Sequence, residues 1–406
     1  MIYHNYQMAA NLADPVRQFA AQAREISMKW FDGKPATPLQ RMTAYYEQIA
    51  LMGFTHARPN YNILPVQDLQ GQTHAIQEER VYGTPFCDLL RFKREDQHDL
   101  PKLLLVAPMS GHFATLLRGT VQTLVQDHEV YLTDWRNIRD IPMSEGEFGL
   151  DEYIEHIIWF MQHLGPNAHL MGVCQPTVAC LAATALMAQD RHECQPASLT
   201  LMAGPIDTRI NPTKVNDLAK EKPIEWFEKN LIGMVPLQFK GVGRRVYPGF
   251  IQLMAFLNMN LSRHRQSFAT LYEHRLNGDH EKADVIRDFY QEYFAIMDLS
   301  GPFYLETVKH VFQDHLLPKG ELTYRGRALE LGAIRKTFLL TVEGERDDIC
   351  GQGQTLAAQD LCAMLPAYRK THHLQAGVGH YGVFSGKRWD AQIYPVVRNM
   401  IQSAQG

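Results

Sequence analysis

Residues 171–180 read MGVCQPTVAC, and this stretch decides the fold. It closes the apolar run HLMGV (169–173), sets Gly-x-Cys at its end, and leads into VACLAATALMA (178–188), which has helical period. A buried strand, a tight turn carrying a nucleophilic side chain and then a helix is the context of a nucleophile elbow. Such a turn holds its central residue in a strained backbone, so the neighbours must be small, and Gly172 meets that need on one side. On the other side Pro176 stands where a second glycine is usual. Proline suits the first turn of a helix, where its missing N–H costs nothing. The helix N-terminus puts partial positive charge near the Cys174 sulfur, and a neighbouring histidine would favour the thiolate further. The plain alternative for any cysteine is a small inert hydrophobe. Cys180, inside the apolar helix, reads that way.

Outward from this turn the same alternation recurs. LLLVA (103–107), EVYLTD (129–134) and SLTLMAG (198–204) are short apolar runs suited to strands buried on both faces. Between them lie helical segments such as YIEHIIWFMQHL (153–164), so the pattern implies βαβ units and a parallel sheet. Residues 208–333 break the alternation with aromatics, charge and helical spacing. TFLLTVEGERDD (337–348) resumes it, followed by a helix at about 353–364, a strand at about 368–375 and a last helix near 388–403. Before the sheet, residues from about 14 to 53 carry helical spacing (Val16, Phe19, Ala20, Ala23, Met42, Tyr45, Ile49), and VYGTPFCDLLRF suggests antiparallel edge strands. The layout predicts an α/β-hydrolase fold with a mostly parallel sheet. It divides into an N-terminal helical extension with the first edge strands (1–94), the first part of the core (95–207), a helical cap insertion (208–333) and the second part of the core (334–406).

That layout assigns places to the remaining chemistry. The triad acid belongs on the loop after a late strand, where TVEGERDDI (341–349) offers Asp347, with Asp348 as the alternative; either could instead simply cap or solvate the loop. The histidine belongs after the last strand, where GVGHYGVFSG (377–386) offers His380. His372 and His373 compete but fall within the strand itself. An oxyanion hole needs the backbone N–H of Gln175 and a second amide from the loop APMSGHFATLL (107–117), with Met109 and Ser110 as candidates. His112 in that loop is a substrate contact, a water holder or a bystander. Trp135 and Arg136, in DWRNIRD (134–140), either line the substrate pocket or serve structure, Arg136 by tying down a loop.

Composition excludes several classes. Forty basic against 44 acidic residues give a net charge of −4, without the footprint of a nucleic-acid-binding chain. The N-terminus lacks a basic stretch followed by an apolar one, and no apolar run approaches the roughly 20 residues of a membrane span. Six cysteines without paired spacing predict reduced thiols in the cytoplasm and no zinc ribbon. No HExxH, phosphate-binding or dinucleotide-binding motif is present, so neither metal nor cofactor is expected.

In combination, MIYHNYQMAANLADPVR, APMSGHFATLLRGTVQTL, DWRNIRDIP, GVCQPTVAC, LMAGPIDTRINPTKVN, TVEGERDDI and GVGHYGVFSGKRW resemble the intracellular poly(3-hydroxybutyrate) depolymerases, the short-chain-length polyhydroxyalkanoate type with a cysteine nucleophile. The resemblance covers nearly the whole chain. It implies Cys174 as nucleophile, Asp347 as acid and His380 as base. It also implies hydrolysis of the polymer to 3-hydroxybutyrate monomers and oligomers through a cysteinyl thioester, and attachment to the granule surface in the cytoplasm. Thiolysis by coenzyme A in place of water stays open, as does a homo-oligomeric state. The alternative is an acyltransferase of the polyhydroxyalkanoate synthase type, which uses the same three residue types. Its usual Gly-x-Cys-x-Gly box is interrupted here by Pro176, which favours the depolymerase. Aromatics of the insertion such as Phe250, Phe289 and Tyr293 either grip an apolar polyester or pack the insertion's own core.

Overall fold

The computed structural model describes residues 2–30, 38–67, 71–95, 99–259 and 261–405. The apolar runs become one eight-stranded sheet: β1 (Ile76–Gly83), β2 (Cys87–Arg94), β3 (Lys102–Val106), β4 (Glu129–Trp135), β5 (His169–Val173), β6 (Ser198–Met202), β7 (Phe338–Gly344) and β8 (Lys370–Gln375). Their spatial order is 8-7-6-5-3-4-2-1. β3 to β8 run parallel to one another, while β1 pairs antiparallel with β2 and β2 antiparallel with β4. Every residue of β5 and β6 is buried, as the continuous apolar runs require of strands covered on both faces. β1, at one edge, alternates between exposed and half-buried positions. This is the α/β-hydrolase fold. The sheet grows in both directions from β3, so the crevice at the carboxyl ends of β3 and β5 is where such sheets bind their ligands.

Two N-terminal helices, α1 (Ile2–Trp30) and α2 (Pro38–Leu51), precede the sheet; α3 (Arg118–Leu124), α4 (Leu150–Leu164) and α5 (Thr177–Gln189) connect its strands. α5 is buried all round from Thr177 to Ala188, which explains an apolar sequence without a polar face. Burial of Leu181 and Leu186 stabilises the fold by about 2 kcal/mol each. Between β6 and β7 come α6 (Lys214–Glu221), α7 (Ile224–Leu231), α8 (Gly249–Met259), α9 (Leu261–Asn277) and α10 (His280–Tyr293). Leu253, Tyr290, Tyr293, Phe294 and Ile296 form a second core there, so most of this segment's aromatics pack against one another.

Some details depart from the sequence reading. The segment between β6 and β7 is not only helical: Gly233–Met234, Arg245–Tyr247 and Leu299–Ser300 pair as a small antiparallel sheet. The helix expected at 353–364 is shorter, Ala357–Leu361, because Glu343 takes the backbone N–H groups of Gly353, Thr355 and Leu356 at 2.8–2.9 Å and holds them in a turn. α1 begins at Ile2, well before the expected start, and runs through Pro15. Residues 31–37 of that predicted helical stretch lie outside the described residues. The apolar spacing of α1 also misleads about its inner face: Val16 and Phe19 are 59% and 63% exposed, while Ala20 is buried. Among the described residues no helix is long and apolar enough to cross a membrane.

Candidate active site

The turn after β5 is as sharp as its sequence predicts. Cys174 has φ +68°, in the left-handed region that costs a non-glycine residue strain. Hydrogen bonds hold it there. Its N–H donates to the Met202 carbonyl on β6 (2.7 Å), and its own carbonyl accepts from the Thr177 N–H (3.2 Å) and hydroxyl (2.9 Å). The space comes from two glycines. A Cβ on Gly172 would lie 2.8 Å from the Cys180 sulfur. A Cβ on Gly204, just past β6, would lie 1.8 Å from Thr177 Oγ1. Gly204 therefore supplies, from the neighbouring strand, room beside the turn that Pro176 does not. Nothing near residue 174 in the sequence announces this; the only signal is the glycine closing SLTLMAG.

His380 opens a short turn after β8 and is 6% exposed. Its Nδ1 lies 2.8 Å from Asp347 Oδ2, and Cys174 is near enough to raise its ionisation. Burial by itself would pull the imidazole towards neutrality. The charge of Asp347 and its hydrogen bond, with Cys174 beside the ring, outweigh it and hold the ring well above the ordinary histidine value. Asp347, on the loop after β7, also accepts on Oδ1 from the N–H groups of Ile349 (2.9 Å) and Cys350 (2.8 Å), which fix its carboxylate towards the ring. The structure thus brings Cys174, His380 and Asp347 together, and Asp348 does not take the place beside His380. His372 and His373 stay on β8, bonded to Thr341 (2.9 Å) and Gln375 (3.0 Å).

The loop after β3 approaches the same turn. The Met109 N–H donates to the side-chain carbonyl of Gln175 at 3.3 Å, which ties this loop to the residue after Cys174. Among the described residues the Gln175 N–H has no acceptor. Ser110 is partly exposed on the same loop. Gly111, with φ +90°, packs against Gln252 of α8, and Met297 N–H donates to its carbonyl (2.9 Å).

The three residues considered for substrate contact have structural partners. Trp135 is 1% exposed and packs against Phe148 and Tyr153; its indole N–H donates to the Ala107 carbonyl at 2.9 Å. Tyr153 donates to the same carbonyl at 3.0 Å, so both side chains brace the loop from beneath. Arg136 is held by Asp88 (2.7 and 3.2 Å), the structural alternative for it. His112 is buried between Phe256 and Tyr293, and burial lowers its ionisation to about 4, so it is neutral at neutral pH. Tyr381 carries no sequence signal of a role here; its ring meets His380 at 5.9 Å and Tyr293 of α10 at 6.4 Å, joining the site to the second core.

A family model described as PHB de-polymerase C-terminus matches residues 203–405, half of the chain. No curated protein matches. Among solved structures, a 2-hydroxy-6-oxo-6-phenylhexa-2,4-dienoate hydrolase from Rhodococcus sp. strain RHA1 is 14% identical, covering 81% of this chain and 100% of its own, with a TM-score of 0.45. A hypothetical protein from Pseudomonas aeruginosa is 11% identical over 87% of this chain and 99% of its own (TM-score 0.45). A thermophilic esterase from Thermogutta terrifontis is 14% identical over 82% and 100% (TM-score 0.42).

Proposed function

Because this chain belongs to the PHB depolymerase C-terminus family and has an α/β-hydrolase fold, we propose that it hydrolyses poly(3-hydroxybutyrate) to 3-hydroxybutyrate and short oligomers, with Cys174 as nucleophile. The observation that carries the reading is the buried His380 ring, hydrogen-bonded to Asp347 and set near a strained Cys174.

His380 takes the Cys174 thiol proton, and the thiolate attacks the ester carbonyl of the polymer. Charge moves onto the carbonyl oxygen, where the N–H groups of Gln175 and of Met109 or Ser110 receive it. The Gln175 side chain must leave the Met109 amide as they do so. The C–O bond breaks, and the departing alcohol takes its proton from His380. A 3-hydroxyacyl thioester is left on Cys174. His380 then deprotonates water, which attacks the thioester and releases the acid. Asp347 keeps the ring in one tautomer and stabilises the imidazolium. Coenzyme A in place of water would release the acyl-CoA instead. Granule-bound polymer in the cytoplasm is the setting this reading assigns.

The test is release of 3-hydroxybutyrate from native amorphous granules by the purified protein beside Cys174→Ala, with and without coenzyme A. Release by the wild type alone is expected. Equal release by the variant removes Cys174 from the mechanism, and no release by either refutes the depolymerase reading.

A further inference from the structure

A groove of about 1060 Å³ opens where α1, α2 and α9 meet, the size that encloses a small organic ligand. Its walls are small and apolar, with Ala9 and Ala13 from α1, Met42 from α2, and Leu261 and Phe268 from α9. Its polar lining includes Arg41 and Arg265, and among the described residues no aspartate or glutamate lines it. Met52 (58%) and Tyr45 (56%), which also line it, stand exposed. Together these make an apolar face fitted with hydrogen-bond donors and free of anions. An aliphatic polyester is the complement of such a face: methyl and methylene groups between carbonyl oxygens that only accept.

We propose that this groove binds a strand of the polyester away from the scissile bond. The proposal rests on the depolymerase reading of the Cys174 site. A relay of ring contacts links the groove to that site. Phe54 and Phe294, which line the groove, meet at 5.9 Å; Phe294 meets Tyr293 at 6.0 Å; and Tyr293 meets Tyr381, the residue after His380, at 6.4 Å. Tyr6, also in the groove, stacks at 4.0 Å on Phe250 of α8, the helix that packs on Gly111. A second copy of the chain is a poorer occupant, because a two-fold contact sets a surface against itself and would place this anion-free, arginine-bearing face on its own image. Polymer has no such conflict.

Two variants test the groove. Ala13→Trp fills it from an exposed helical position, and Arg41→Glu with Arg265→Glu replaces donors by acceptors. Each is assayed on amorphous granules, for co-sedimentation with them, and on a soluble short ester such as 4-nitrophenyl butyrate. Both should lose roughly tenfold or more in polymer rate and in granule binding, while soluble-ester turnover stays within about twofold. An unchanged polymer rate beside an active wild type overturns the groove and leaves the depolymerase reading intact. A wild type active on the soluble ester but inert on polymer overturns both. Binding of palmitate, or a dimer seen by light scattering, that Ala13→Trp abolishes without changing the polymer rate reassigns the groove and overturns the proposal.

Discussion

Replacing Gly204 by alanine perturbs the site without touching a reacting group. The new Cβ would lie 1.8, 2.3 and 2.5 Å from Oγ1, Cγ2 and Cβ of Thr177, where ordinary contact begins near 3.4 Å. Thr177 is fully buried and cannot swing into solvent, so either α5 or the segment after β6 must move. Overpacking of this kind costs about 1–3 kcal/mol. It also reaches the chemistry, because the Thr177 hydroxyl holds the Cys174 carbonyl at 2.9 Å. Gly204→Ala should therefore lower unfolding free energy in urea by about 2 kcal/mol and slow 4-nitrophenyl butyrate turnover. Thr177→Ala removes the two nearest atoms. Alone it should cost about 1 kcal/mol for the lost hydrogen bond. Combined with Gly204→Ala it should cost less than the sum, with a coupling of about 1 kcal/mol or more. Strictly additive costs, or a Gly204→Ala protein as stable and active as wild type, would refute the steric account of the turn.

Asp347→Asn should cut turnover of a soluble ester by on the order of a thousandfold, because an amide cannot accept from Ile349, Cys350 and His380 at once; Asp348→Asn should not, and equal losses in the two would sink the assignment. The raised ionisation of His380 carries a pH signature. A folded value above the unfolded one contributes stability fully below about pH 6.5 and loses it as pH rises through the folded value. The stability gap between wild type and His380→Gln, from urea unfolding, should accordingly narrow from pH 6.5 upward, and a widening gap contradicts the ion pair. Trp135→Phe should cost about 1 kcal/mol for the bond to the Ala107 carbonyl and leave KM for the soluble ester unchanged; a large rise in KM would return Trp135 to the substrate pocket.

Much of the fold was legible because its signals are local. The inner strands are unbroken apolar runs, and their order with the intervening helices suffices for a parallel sheet. The meeting of Cys174, Asp347 and His380 followed from chain order, since each stands at the carboxyl end of a strand in that sheet. What escaped depends on neighbours distant in sequence. Gly204 matters because β6 lies beside β5, and Trp135 points inward because the Ala107 carbonyl, just past the adjacent strand, takes its N–H. The apolar spacing of α1 was real, but periodicity tells that a helix has two faces and not which is covered. Here the covered face holds Ala20 and Tyr3, while Val16 and Phe19 face water.

The six cysteines are all free thiols, and five of them are buried. Only Cys174 is partly open to solvent. The folded molecule therefore presents one chemical address to a thiol reagent, whereas the unfolded chain presents six. A coloured disulfide reagent becomes a counter of intact molecules: one equivalent released per native chain, the remainder only after denaturant. The same selectivity makes the protein vulnerable at a single point. Mild peroxide should reach Cys174 first, take it to the sulfenic acid and silence the molecule while its core thiols stay reduced, and a small thiol should bring it back.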